Sequence, residues 1–240
     1  MKLRKIEIPF ENRMTKTQSI LSWVYLLMHV AVLPVLLALL QGYSPDPISD
    51  GTLNLIYYII GIVFCLTVTH SFLRRSFDRL ADNFRLCLLT IVLGLMINYA
   101  LSAAAALVLM LVEGVAENPN NSAIMDLNVT DSGAVRAVAI FLAPIVEEIL
   151  FRGAVFGSIR TRSRLWAYIV SIAAFSLYHI WQYAAVSGDP AMLLYALEYF
   201  PVSFVLAWIY ERSGSIWTSI FFHMGFNALS LYMLNVLDKL

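Results

Sequence analysis

Seven stretches of this 240-residue chain are apolar over enough residues to call for a lipid bilayer rather than water. A helix needs about 20 such residues to cross a hydrocarbon core. Candidate spans fall at Ser19–Leu40, Leu53–Thr69, Leu86–Val112, Gly133–Phe156, Leu165–Gln182, Ala191–Tyr210 and Ile216–Leu237. The expected fold class is therefore all-α, a polytopic transmembrane helix bundle of about seven spans. Composition agrees: 60% of residues are hydrophobic and 13% charged, where a soluble domain carries charge on about a quarter. The formal net charge is zero, so no nucleic-acid partner is expected. Cys65 and Cys87 sit in apolar runs without metal or redox spacing and read as core thiols. No small-residue cleavage site follows the first span, which is expected to be a retained anchor rather than a signal peptide.

Charge placement orients the bundle. Lys2, Arg4, Lys5, Arg13 and Lys16 precede the first span, and Arg74, Arg75, Arg79 and Arg85 follow the second. Arg160, Arg162 and Arg164 follow the fourth, and Arg212 the sixth. The alternate connections, Gln41–Thr52, Glu113–Ser132 and Tyr183–Pro190, hold no Lys or Arg but do hold Asp46, Asp50, Glu113, Glu117, Asp126, Asp131 and Asp189. Cytoplasmic connections carry the excess of Lys and Arg, so the N-terminus is expected in the cytoplasm and the C-terminus outside. Trp23, Trp166, Trp181, Trp208 and Trp217 fall near span ends, as an interfacial belt requires. Phe72, Leu73, Phe77, Leu80 and Phe84 among the arginines of Ser71–Arg85 suit either a surface-lying amphipathic helix or a linker helix packed on the bundle. Glu113–Ser132 reads as a mobile polar loop.

The chemistry begins with charges that lipid disfavours by about 2.5–3.5 kcal/mol each at a helix centre. The fourth span contains Pro144, Glu147, Glu148 and Arg152. Neighbouring carboxylates point about 100° apart on a helix. Arg152, four residues after Glu148, can clip to it, which leaves Glu147 to find a partner on another helix. Pro144 removes a backbone donor one turn earlier and can loosen the helix there. The fifth span brings His179, and the seventh brings His223 and Asn227, whose i,i+4 spacing puts both on one face. Each element has a plainer reading. Intramembrane histidines often serve packing, as expected for His29 and His70. A Glu–Arg pair four apart is a common structural clip, and Glu198 near Pro201 suits a hydrogen bond supporting a kink. A buried glutamate, two histidines and an asparagine in one bundle are together a plausible hydrolytic set.

Glu147-Glu148-x-x-x-Arg152, Phe175-x-x-x-His179 and His223-x-x-x-Asn227 resemble, in order, the three motifs of the CAAX-protease and bacteriocin-processing family, also called Abi. That family contains intramembrane endopeptidases, including type II CaaX prenyl endopeptidases. The resemblance covers roughly Gly133–Leu237. It implies a catalytic core of four C-terminal helices over 133–240, preceded by a variable region over 1–132 with three spans, one interfacial helix and one outer loop.

The resemblance implies roles. Glu147 with His179 would activate the attacking water, and His223 with Asn227 would hold the tetrahedral oxyanion. Glu148 and Arg152 would support the helix. The cofactor stays open: no cofactor is certain, and zinc held by Glu147, His179 and His223 is the alternative, although H-E-x-x-H is absent. The expected function is an intramembrane endopeptidase in a bacterial plasma membrane. Its partner would be a peptide or protein substrate, presented from the membrane or the cytoplasmic side. The rival reading is a non-catalytic scaffold or bacteriocin-immunity protein that binds a partner through the same polar cavity. A small-solute transporter would predict repeated halves or paired broken helices, and the sequence has neither.

Overall fold

The computed structural model describes residues 10, 12–46, 48–111, 118–130 and 132–237, which form ten helices and, among the described residues, no strand. In chain order these are α1 (Lys16–Tyr43), α2 (Asp50–Val68), α3 (His70–Asp82), α4 (Phe84–Met110), α5 (Pro119–Thr130), α6 (132–160), α7 (Arg164–Tyr178), α8 (Trp181–Ser187), α9 (Pro190–Ser213) and α10 (Ile216–Leu237). Lys2, Arg4, Lys5, Glu113, Glu117 and Asp131 of the charge pattern lie outside the described residues.

Helix starts follow local chemistry. Thr15 and Gln18 form a reciprocal capping box at α1, with Gln18 N on Thr15 Oγ at 3.2 Å and Thr15 N on Gln18 Oε1 at 3.1 Å. Ser49 caps α2, Ser163 caps α7 and Asp189 caps α9, each accepting from a backbone N–H of the first turn. Gly214 ends α9 at φ +69°, a left-handed stop that a side chain would strain.

Among the described residues four helices are long and apolar enough to cross a membrane: α1, α2, α4 and α9. A fifth span results if α7 and α8, bent by 50°, count as one. The count of seven is thus not reached by length and composition. The other two candidate spans, α6 and α10, are those carrying the polar motifs. Three charged residues, Glu147, Glu148 and Arg152, interrupt α6, and Thr218, Ser219, His223 and Asn227 lie on α10. Glu147, Glu148, Arg152, Thr218, Ser219 and His223 are all buried and Asn227 is half-buried, so these polar groups face protein rather than lipid.

Small residues let the helices approach. A Cβ at Gly61 of α2 would lie 2.8 Å from a Val146 methyl on α6. One at Gly94 of α4 would lie 2.7 Å from Ile209 Cδ1 on α9. The outer faces of α1, α2 and α4 expose Leu36, Leu39, Val63, Leu89, Met96 and Leu107, a surface suited to lipid. At the arginine-bearing end the bundle is stitched shut. Asn12 donates to Ser76 Oγ and Gly214 O, Tyr210 donates to Asn12 O at 2.8 Å, and Trp217 donates to Leu73 O at 2.9 Å. Glu211 accepts from Arg160, Arg164 and Tyr168. The α3 helix buries Phe72, Leu73 and Ser76 against this end and leaves Phe77 exposed.

The segment read as a polar loop over Glu113–Ser132 is not loop throughout, because Pro119–Thr130 is helical. Pro119 is preorganised for a first helical position. Asn118 Oδ1 accepts from Asn120 N at 3.0 Å while its amide donates to Glu198 Oε2 at 2.7 Å. Glu198 therefore ties α9 to α5, where the sequence suggested a kink-supporting bond. His29 is buried and stacked on Tyr57 at 4.1 Å, a packing role, and the exposed His70 bonds Thr67 O.

Candidate active site

The α6 helix is irregular around its motif. Residues Ala137–Leu142 and Glu148–Phe156 are wound as π-helix, with Ala143–Glu147 as an α-helical turn between them. Such wide turns recur at functional sites. The amide of Ala143 reaches back to Val138 O. The next amide in that pattern would be that of Pro144, which has none, so Ala139 O is left without a helical donor. Asn227 Nδ2 of α10 supplies it at 2.8 Å. Pro144 thus opens the helix, and Asn227 closes the resulting gap.

The two glutamates face different surroundings. Glu148 is fully buried with Arg152, also fully buried, at 3.0 Å. Arg152 further donates to Ser203 O and Oγ, both at 3.1 Å, and lies 4.1 Å over the Phe175 ring. Neither Glu148 nor Arg152 reaches the cavity described below. Glu147 does. Its Oε1 accepts from the Tyr58 hydroxyl at 2.8 Å. Its Oε2 lies 4.0 Å from His179 Nε2 and 3.9 Å from His223 Nε2. Those gaps are too long for direct hydrogen bonds and close enough for one small bridging group.

Ring orientation is fixed from behind. His179 Nδ1 faces Phe175 O at 2.9 Å, and since a carbonyl only accepts, Nδ1 carries the proton. In the neutral ring Nε2 then presents a lone pair toward Glu147. This bond also satisfies a carbonyl at the end of α7, where the chain turns by 50° into α8. Tyr199 stacks on the imidazole at 4.4 Å. His223 Nδ1 faces Glu148 Oε1 at 3.0 Å, so Glu148 bridges Arg152 and His223. The structure brings Glu147, His179 and His223 together, sets Asn227 one helical turn along the same wall, and places Glu148 and Arg152 behind them.

These groups line a cavity of about 450 Å³, within the range of small-ligand sites. Apolar walls from Leu37, Ile124, Val135, Val138, Phe226 and Leu231 surround the polar floor, with Asn120, Asn121, Gln182 and Tyr183 among its lining. Among the described residues no three His, Cys, Asp or Glu side chains are grouped so as to hold a metal ion. As arranged, Glu147, His179 and His223 do not fit zinc, and no step is derived through one.

Sequence reading missed several lining residues. Tyr58 comes from the second span, outside the motif region. Tyr178 is hydrogen-bonded at 3.2 Å to both Tyr57 and Tyr58 and lies 3.4 Å from His29 Nε2. Tyr57 and Tyr58 spend their own protons on His29 O and Glu147, so Tyr178 holds the one remaining phenolic proton of the trio. The available signal was a Tyr-Tyr pair inside an apolar run, an expensive choice in lipid unless the hydroxyls have partners.

Residues 132–229 match the model of a family described as Rce1-like, Type II CAAX prenyl endopeptidase. The chain is 26% identical over 222 residues to "Putative membrane peptidase YdiL" of Bacillus subtilis (strain 168), an alignment spanning 87% of this chain and 85% of that protein. It is 28% identical over 97 residues to "UPF0177 protein YxdF" of Lactococcus lactis subsp. lactis (strain IL1403), spanning 40% of this chain and 48% of that one. No solved structure matches the chain.

Proposed function

We propose that this chain, whose matches support a membrane protease of the CAAX-protease and bacteriocin-processing family, is an endopeptidase in which Glu147 activates water for attack on a membrane-associated peptide or protein. The observation carrying this reading is the meeting of one carboxylate oxygen, Glu147 Oε2, with two imidazole Nε2 atoms at 4.0 and 3.9 Å on the floor of a largely apolar-walled cavity. A water between them is within reach of a base and of a second group that orients it. Glu147 takes the water proton as the oxygen attacks the scissile carbonyl carbon. The same proton then passes to the leaving amine nitrogen, with the lone pair on His179 Nε2 assisting.

The oxyanion formed in that step needs donors that are already in place. Asn227 spends one amide hydrogen on Ala139 O and retains a second. His223 can donate from Nε2 when its Nδ1–H is held by Glu148 and the ring is cationic. Glu147, Glu148, Arg152 and that imidazolium then sum to zero charge, the arrangement a low-dielectric interior favours. Tyr58, by donating to Oε1, leaves Oε2 as the oxygen facing water. The test is cleavage of a peptide library by detergent-purified protein, read as paired fragments by mass spectrometry, beside Glu147→Ala. Fragments from wild type and none from the variant support the reading. Equal fragments from both contradict it, and their absence from both favours a binding role.

A further inference from the structure

On the long helices that line the cavity, the lining residues run from about the middle of the helix toward the end away from the arginine-bearing connections. Along α2 the lining stops at Tyr58, and Cys65, nearer the arginines of α3, is buried elsewhere. Along α6 it stops at Glu147, and residues 148–156, which lead toward Arg160, are all buried away from it. The α7 helix contributes only from Phe175 onward, and α10 only from His223 onward. On α9 the lining is confined to Tyr199 and Val202, while Leu206, Ile209 and Tyr210 further along are fully buried.

Between the cavity floor and the arginine-bearing end lies a closed layer. Glu148, Arg152 and Ser203 are fully buried and bonded to one another or to their neighbours. Below them Phe156 and Tyr210 pack with Phe10, and the Asn12 and Glu211 contacts seal the surface. In the other direction burial relaxes: His223 is 4% exposed and His179 17% at the side chain, and Gln182 is exposed. Arg136 is the one Lys or Arg among the described residues toward that end. All the others except the internal Arg152 cluster at the sealed end.

We infer that the cavity takes its substrate from the extracytoplasmic face, as a peptide segment of apolar and uncharged side chains emerging from or lying at the outer half of the bilayer. This rests on the peptidase reading and deepens it. Arginine-bearing connections stay in the cytoplasm, so a site sealed on that side and opening away from it is reached from outside. Among the described residues the lining before Glu147 is apolar or, as at Asn120, Asn121 and Gln182, neutral, which suits an uncharged segment. Water for hydrolysis enters by the same route. The floor is roughly 20 Å from the arginine end of α7, at about 1.5 Å per residue over its 15 residues, so the peptide need not cross the whole hydrocarbon core.

The experiment uses the full chain in right-side-out and inside-out membrane vesicles. Cysteine is placed in the cavity wall (Ala139→Cys), at its mouth (Asn121→Cys) and at the arginine-bearing end (Arg162→Cys). Native Cys65 and Cys87 are buried, and the parent chain gives the background. A membrane-impermeant maleimide should label positions 139 and 121 in right-side-out vesicles and position 162 only in inside-out ones. Labelling of 139 from the inside, from both sides or from neither overturns the inference. Asn121→Cys, on an outer helix, keeps the test decisive if the wall variant misfolds. Impermeant quenched-fluorescent peptides with uncharged side chains should be cleaved at least about tenfold faster by right-side-out vesicles, and the reverse preference overturns the inference. If no peptide is cleaved in either orientation or in detergent, the peptidase reading fails, and labelling alone decides where the cavity opens.

Discussion

Replacing Arg152 by Met removes one member of a pair in which both side chains are wholly inaccessible. The guanidinium gives up its 3.0 Å bond to Glu148, two 3.1 Å bonds to Ser203 and its position over Phe175. Methionine fills much of the volume, so the dominant loss is electrostatic: Glu148 remains buried with its main counter-charge gone. Breaking a buried pair in this way costs about 3–5 kcal/mol. For a chain of this size that corresponds to a fall of about 6–20 °C in melting temperature. Adding Glu148→Gln neutralises the stranded carboxylate while leaving an oxygen to accept from His223. The double variant should therefore recover about 2–3 kcal/mol relative to the sum of the single changes, as contacting residues do in a double-mutant cycle. Thermal unfolding in detergent, followed by tryptophan fluorescence, reads all four proteins. A loss below about 1 kcal/mol for Arg152→Met, the scale of an exposed pair, would refute the reasoning. So would a double variant no more stable than the additive expectation.

Tyr58→Phe should lower turnover by roughly tenfold, the worth of one hydrogen bond to a charged group at about 1.5 kcal/mol, with little change in substrate affinity; a change in affinity alone would count against its role on Glu147. Asn227→Ala should do two things at once. It should cut the single-turnover rate by about 10²–10³-fold through loss of an oxyanion donor, and destabilise the fold by about 1–3 kcal/mol by leaving Ala139 O unpaired. Destabilisation with an unchanged rate per folded molecule would make Asn227 structural only. Elemental analysis of purified wild type and His223→Ala should find no stoichiometric metal in either; zinc present in wild type and lost in the variant would replace the glutamate mechanism with a metal-based one.

The helical class and the polar set were legible because lipid makes both conspicuous: long apolar runs demand spans, and Glu147, Glu148, Arg152, His179 and His223 stand out against them. The Glu148–Arg152 contact was legible too, since i,i+4 spacing brings those side chains together on a helix. Contacts between distant segments were not. Tyr58 meets Glu147 across 89 positions of sequence, and nothing in the Tyr57-Tyr58 pair names its partner. Asn227's bond to Ala139 O arises only because α6 is wound as π-helix ahead of Pro144, and a proline alone signals a perturbed helix without saying what repairs it. Which end of the bundle packs shut was not legible either, because depth along separate spans does not reveal it.

The central claim is that Glu147 is the base. It is tested most directly by the single-turnover rate of Glu147→Gln against wild type, with the melting temperature of each measured in the same detergent. Glutamine keeps the shape and can still accept from Tyr58, so stability should hold while the rate falls by about 10²–10⁴-fold. A Glu147→Gln protein that melts with wild type and cleaves as fast as wild type would contradict the account.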